Sequence, residues 1–277
     1  MKHKISTWVL GATLAASSVL VGCASTTNTG AIGIDRNQLL LVSNAEVQQL
    51  AAQSFNETVG KARQAGKLDT NPAQVNRLKR IASRLIGQVG VYRPDAQNWA
   101  WEVHTIQSNT INAYVLPGGK IMFYTGIIDR LNLTDDEIAA IMGHEMAHAL
   151  REHTREKLSQ QMATQLGLGV VTSRFGLSQG QAQLASYASE LGLALPNSRQ
   201  MESEADVMGL ELMARAGYNP QAAVSLWRKM QQVDGRGEPP QFLSTHPASA
   251  TRINNLQALM PRVMPLYQQT QAQMLRR

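Results

Sequence analysis

His144-Glu145-Met146-Ala147-His148 is the stretch whose residue types and spacing could do metal chemistry. Two histidines four apart on a helix project from one face, one turn above the other. Imidazole nitrogens so placed can share one ion, and zinc accepts such ligands at about 2.0–2.1 Å. Glu145, directly after the first histidine, is then placed to take a proton from an attacking water as general base. A catalytic zinc site also needs about three protein ligands and one open position. Downstream, Glu202-Ser203-Glu204-Ala205-Asp206 offers carboxylates. Glu202 and Asp206 are four apart and share a face. One carboxylate can bind zinc, and the other can fix a ligand histidine in one tautomer. Glu204 lies two positions off that face and is the weaker ligand candidate. His153, five residues past His148, falls off the ligand face and is read as structural or solvent-facing.

The metal helix needs a start and a support. Thr134-Asp135-Asp136-Glu137 has the spacing of a capping box. The helix it opens runs through Ile138, Ile141 and Met142 into the motif and on towards Lys157. Before it lies the clear β region. Trp99 to Ile106 alternates, Ile111 to Leu116 follows, Pro117-Gly118-Gly119 is a turn, and Lys120 to Tyr124 is a third strand. A small antiparallel sheet beside the metal helix is expected. Its candidate edge, Asn112 to Leu116, could take an extended peptide as an added strand. Asn112, Ala113 and Tyr114 are therefore candidate substrate-binding residues.

Apolar residues at helical spacing predict a helix from Ser43 (Val47, Leu50, Ala51, Phe55, Val59) and another from Asn71-Pro72 (Val75, Leu78, Ile81, Ala82, Leu85, Ile86). The Gly- and Ala-rich span Leu166 to Leu195 reads as one or two helices over the cleft. A helix from Pro220, a loop at Gly235 to Pro240, a helix over Ser249 to Leu259 and a frayed Gln-rich tail from Tyr267 complete the chain. The fold class is α+β, mainly α, with residues 43–277 as a single domain.

The chain of 277 residues opens on a basic Met1-Lys2-His3-Lys4, then an apolar run from Trp8 to Val21. This reads as a secretory signal over residues 1–22. Leu20-Val21-Gly22-Cys23 looks like a bacterial lipobox, with lipid on Cys23, the only cysteine. A lone cysteine in a secreted chain makes no internal disulfide. Ala24, rather than Asp, implies the outer membrane of a Gram-negative envelope, periplasmic face. Residues 23–42 are expected to be anchor and flexible tether. Cleavage removes Lys2 and Lys4 and no acid, so the formal charge falls from +6 to +4. With no zinc knuckle, phosphate loop or basic run with interleaved aromatics, nucleic acid is not an expected partner.

Together, H-E-M-A-H, E-S-E-A-D and the later Ser244-Thr245-His246-Pro247 with Arg252-Ile253 resemble the membrane-associated gluzincin endopeptidases. These include the CAAX prenyl proteases, HtpX-type and Oma-type proteases and periplasmic proteases of LoiP and BepA type. The resemblance spans about Asn71 to Arg262 and is nearest in shape to the compact LoiP-like lipoproteins. It implies a zincin (gluzincin) fold, one zinc ion held by His144, His148 and Glu202, and Glu145 as catalytic base. Asp206 matches the family aspartate, and Arg252 is a candidate partner of a carboxylate near the site. His246 has three open readings: donor to a developing oxyanion, fourth ligand that holds the enzyme off, or turn residue with Thr245 capping the next helix. The implied function is a zinc endopeptidase of misfolded or misassembled envelope proteins, membrane-bound through Cys23. The rival is a periplasmic chaperone or assembly factor, working with the outer-membrane assembly machinery and little proteolysis.

Overall fold

The computed structural model describes residues 23–169, 198–234 and 240–276. The expected signal segment, most of the Leu166–Leu195 span and the 235–239 loop lie outside the described residues.

Short strands β1 (Cys23–Ala24) and β2 (Gln38–Leu39) pair antiparallel near the start. Helices α1 (Asn44–Gln64) and α2 (Pro72–Ile86) follow, each with the N-cap that its sequence offers. Ser43 and Glu46 form a capping box, and Asn71 accepts from the Gln74 amide. The predicted apolar faces are buried, except that Leu50 and Ile86 are only half-buried.

The sheet holds β3 (Glu102–Ile106), β4 (Ala113–Leu116) and β5 (Lys120–Tyr124) in the order β3-β5-β4. It is mixed, not antiparallel throughout as expected. β5 pairs antiparallel with β4 (Val115 opposite Ile121) and parallel with β3 (Val103 opposite Ile121). The physical reason is the 107–112 connection. It carries β4 one strand width beyond β3, and the tight hairpin returns β5 into the gap. Gly118 and Gly119 make that turn at φ 81° and 87°. A Cβ on Gly119 would also lie 2.7 Å from the Trp101 ring.

The sheet is a middle layer, covered on both faces. Ala113, Val115, Ile121 and Phe123 face the main core, while Tyr114, Leu116 and Met122 pack with Phe55 and Val59 of α1. This is why β4 reads as a continuous apolar run.

After α3 (Thr125–Arg130) comes α4 (Asp135–Leu150), buried from Glu137 to Leu150. Its capping box forms as expected: the Glu137 amide donates to Thr134 Oγ1 at 3.3 Å, and Thr134 N donates to Glu137 Oε2 at 2.9 Å. Asp135, Asp136 and Glu137 also meet the positive end of the helix. The helix stops at Leu150 rather than running on to Lys157. Arg151 and Glu152, the latter at φ 53°, make a turn, and α5 (His153–Gly169) starts afresh.

The remaining elements are α6 (Arg199–Arg215), α7 (Gln221–Asp234), α8 (Gln241–Thr245) and α9 (Ala250–Met274). Helix α9 continues to Met274, through Pro261 and Pro265, where a frayed tail was expected. Helix α6 lies tightly on α4. A Cβ on Gly209 would sit 2.7 Å from the His144 amide nitrogen and 2.8 Å from the Gly143 carbonyl carbon. No helix among the described residues is long and apolar enough to cross a membrane.

Residues 23–42 are folded onto the body as a strap, where a flexible tether was expected. Ile32, Leu40 and Val42 are buried. The amides of Ala31 and Ile32 donate to the Glu211 carboxylate of α6. Thr26 and Gln38 bond to the Arg151 carbonyl. The composition is small and polar because these residues satisfy buried polar groups.

The glycine contact gives a direct test. Gly209→Ala forces α4 and α6 apart or strains them, at a cost of about 1–3 kcal/mol typical of overpacking. Thermal unfolding should show a lower Tm, and an unchanged Tm would refute the close approach.

Candidate metal centre

Helix α4 brings His144 and His148 to one face, and α6 lays Glu202 against them. Their Nε2 atoms lie 3.1 Å apart. Glu202 Oε1 is 3.2 Å from His148 Nε2, and Glu202 Oε2 is 3.4 Å from His144 Nε2. His246, at the end of α8, adds Nδ1 at 2.8 Å from Glu202 Oε1 and 3.3 Å from His144 Nε2. All four residues are buried, and one ligand atom from each falls within 4.8 Å of the others.

The donor set can be tested against zinc by geometry. Ligand atoms at about 2.0–2.1 Å in a tetrahedron stand roughly 3.3–3.4 Å from one another. With the nearer Glu202 oxygen taken in each case, the five separations given above run from 2.8 to 3.4 Å, near that value, and one atom from each of the four residues falls within 4.8 Å of the others. Three imidazoles and a carboxylate are also donors that zinc takes. The cluster therefore fits one zinc ion.

The surrounding field favours a cation. Burial and the Arg252 charge push the His144 imidazole down, but Glu202 and Asp206 outweigh them and raise its pKa to about 9. Burial pushes Glu202 up, and the charges of His246 and His144 with bonds from His144 and His148 bring it well below the usual range. His148 goes the other way: burial lowers it well below an ordinary histidine.

Asp206, the second expected carboxylate, sits one turn beyond Glu202. Its Oδ1 is 3.0 Å from His144 Nδ1. A carboxylate only accepts, so Nδ1 carries a proton, and Nε2 is the nitrogen that a metal ion in the cluster would take. Arg252 of α9 grips Asp206 through Nε at 2.6 Å and Nη2 at 2.7 Å, and its Nη1 reaches Glu202 Oε2 at 2.8 Å. Trp227 of α7 stacks on the guanidinium, 3.6 Å from carbon to ring centroid. Sequence reasoning had no route to Trp227, which reads as one more apolar residue at helical spacing.

Glu145 is buried beside this group. Burial raises its carboxyl above the ordinary range despite the opposing pull of His246 and His144. Its Oε1 lies 3.4 Å from His246 Nε2 and accepts no hydrogen bond among the described residues. His246 itself stacks on Phe242, with ring centroids 4.7 Å apart. The Thr245 hydroxyl donates back to the Phe242 carbonyl, and Ser249, not Thr245, caps α9. Phe242 N donates to the Ile111 carbonyl, which ties α8 to the approach of β4.

Asn112, Ala113 and Tyr114 are at or beside the outer strand β4, yet all three are buried. The Asn112 side chain accepts from the Ala113 amide. His153, expected to be structural or solvent-facing, is buried at 1% exposure with Nδ1 2.8 Å from His148 Nδ1. On a continuous helix five residues turn a side chain by about 140° from the starting face. The turn at Arg151 and Glu152 cancels that offset, and neither residue is a helix breaker that would announce it.

Comparison with known proteins fits this geometry. The family model described as "Peptidase family M48" matches residues 72–260, more than half of the chain. Mitochondrial metalloendopeptidase OMA1 of Schizosaccharomyces pombe is 36% identical over 185 residues, covering 66% of this chain and 52% of that protein. The chain thus spans about half the length of that mitochondrial relative. Two Escherichia coli proteins align nearly end to end. Metalloprotease LoiP is 27% identical, covering 89% of this chain and 94% of LoiP, and metalloprotease YcaL is 24% identical, covering 91% and 96%. The matched span runs from α2 into α9 and carries all four clustered donors with Glu145, and on that ground the chain belongs to peptidase family M48.

Proposed function

We propose that this protein is a zinc-dependent endopeptidase, with His144, His148 and Glu202 as ligands and Glu145 as general base. The observation that carries this reading is Glu145 itself. It is a buried carboxyl with raised proton affinity whose Oε1 lies 3.4 Å from His246, a member of the zinc-shaped donor cluster. A purely structural site, as in the rival chaperone reading, has no use for a base there. The relatives' own names, metalloendopeptidase and metalloprotease, point the same way.

When bound, zinc would polarise a peptide carbonyl and lower the pKa of water towards about 7. The chain's own part is proton handling and orientation. Glu145 takes the proton at a carboxylate oxygen and delivers it to the leaving amine. Asp206 holds His144 in the Nδ1-protonated tautomer, and Arg252, under Trp227, holds Asp206 and Glu202 in register. Strand β4 pairs on one side only within the sheet, which suits addition of an extended substrate segment along Asn112 to Tyr114. An extended segment is what a misfolded protein offers.

His246 stands among the donors rather than beside them, and this favours the second of its three readings. With Nδ1 in the cluster and Nε2 towards Glu145, the side chain fills the position that catalysis needs open. The conformation is a closed one, and α8 with His246 must withdraw for substrate to enter.

The location rests on sequence alone: signal segment 1–22 and lipidation of Cys23, giving a lipoprotein of the outer membrane with its domain in the periplasm and misassembled envelope proteins as substrates.

Zinc content and casein cleavage, measured together, test the mechanism. Glu145→Gln should keep its zinc and lose cleavage about 10²–10⁴-fold. A variant with zinc and parental activity defeats the assignment. In the same assay His246→Ala should cleave faster than the parent, and a fall would return His246 to the oxyanion role. For ligation, Glu202→Gln should lower zinc occupancy far more than Glu204→Gln, and equal effects count against Glu202. For anchoring, Cys23→Ser should move the protein from the membrane fraction to the soluble one, and retention would argue against lipid at Cys23.

A further inference from the structure

His148 presents Nε2 to the donor cluster and turns Nδ1 away from it, towards Nδ1 of His153 at 2.8 Å. Two ring nitrogens at that distance share one proton. The rest of the chain decides which of them owns it. His153 Nε2 lies 3.0 Å from Glu204 Oε2, and a carboxylate can only accept. His153 therefore carries its proton on Nε2 and gives it to Glu204. Its Nδ1 is then a lone pair, which accepts the Nδ1 proton of His148. With a metal ion between His148 Nε2 and Glu202 Oε1, which stand 3.2 Å apart, this arrangement gives the Nε2 lone pair to the metal.

The two histidines of the motif are thus held differently. His144 meets its carboxylate, Asp206, directly at 3.0 Å. His148 meets its carboxylate through a second imidazole. Glu204 is fixed in turn by Arg36 of the strap, through Nε at 2.5 Å and Nη2 at 3.0 Å. The same guanidinium grips Glu156 of α5 with two more bonds, at 2.5 and 2.8 Å. Arg151, fully buried, donates to the Arg36 carbonyl at 2.6 Å and to Glu204 at 3.3 Å.

We propose that His153 and Glu204 are positioning residues that set the tautomer and ring plane of His148, and that Arg36 is the third link. The N-terminal strap is then a working part of the metal centre. This rests on His148 being a ligand, as proposed above, but not on any reaction being catalysed.

The test is zinc affinity, measured by competition with a chromogenic chelator, with the absorption spectrum of the cobalt-substituted protein alongside. His153→Phe keeps bulk and removes both bonds. It should weaken zinc binding about 10–100-fold, the usual loss when a partner of a ligand histidine is removed, and change the cobalt spectrum. His153→Gln carries one acceptor and one donor on neighbouring atoms, and should restore affinity to within a few-fold of the parent. Arg36→Met should weaken binding by a smaller factor, although it lies three hydrogen bonds away from His148. If His153→Phe binds zinc as the parent does, or Gln fails as badly as Phe, the positioning role is overturned. Parental affinity in Arg36→Met overturns the part assigned to the strap. A parent that binds no zinc at all overturns the ligand assignment and this inference together.

Discussion

Two helix backbones touch at Gly143 and Gly209, and the rest of the centre depends on that contact. One residue of the pair precedes the first histidine, and the other lies two turns beyond Glu202. With no side chain between them, α4 and α6 approach closely enough for donors on both to share one small volume. A methyl group at either position would open the gap by a few tenths of an ångström or more. Metal ligation tolerates about that much and no more. Glycine is costly inside a helix, by roughly 1 kcal/mol against alanine. Here that cost is offset by an approach that no other residue permits.

That approach gathers charge in a dry place. Glu145, Glu202 and Arg252 are buried with three histidines, and the Asp206 side chain is only 10% exposed, so water has little access. Isolated, such ions would be strongly disfavoured. Every one has an opposite charge or a dipole set against it, and Arg252 alone serves two carboxylates and an indole face. The arrangement balances with a cation in the middle. It also explains why α4 is buried on all sides for most of its length. The helix is a scaffold enclosed by sheet, α2, α6 and α7, so the ring positions of His144 and His148 have little freedom. Preorganisation of this kind is what a metal site needs from its protein.

Much of this was legible in the chain. The i, i+4 spacing of His144 and His148, the i, i+4 spacing of Glu202 and Asp206, and the capping box at Thr134 are local patterns, and each became the local structure it implies. What could not be read depends on long-range geometry. The direction of β3 follows from which gap the hairpin fills. His153 looked out of phase because a helical wheel assumes that the helix goes on, and the interruption at Arg151 and Glu152 carries no glycine or proline. Glu204, the weaker ligand candidate by spacing, has its own partner in His153 on the other side of α6. The strap misled for a physical reason as well. Small polar residues are what a solvated linker uses, and also what satisfies buried arginine and glutamate.

Arg36 and Glu204 stand 168 positions apart in the chain. The entropy of closing so long a loop is met only once most of the polypeptide is free to fold. An order of events in folding follows from this. The amino-terminal segment emerges first and must wait for helix α6 before its guanidinium finds a partner. Until then His153 lacks its carboxylate. A hydrolytic centre finished by its last-folding half is inert while its own chain is still extended, which is the stage at which that chain would itself be the nearest substrate.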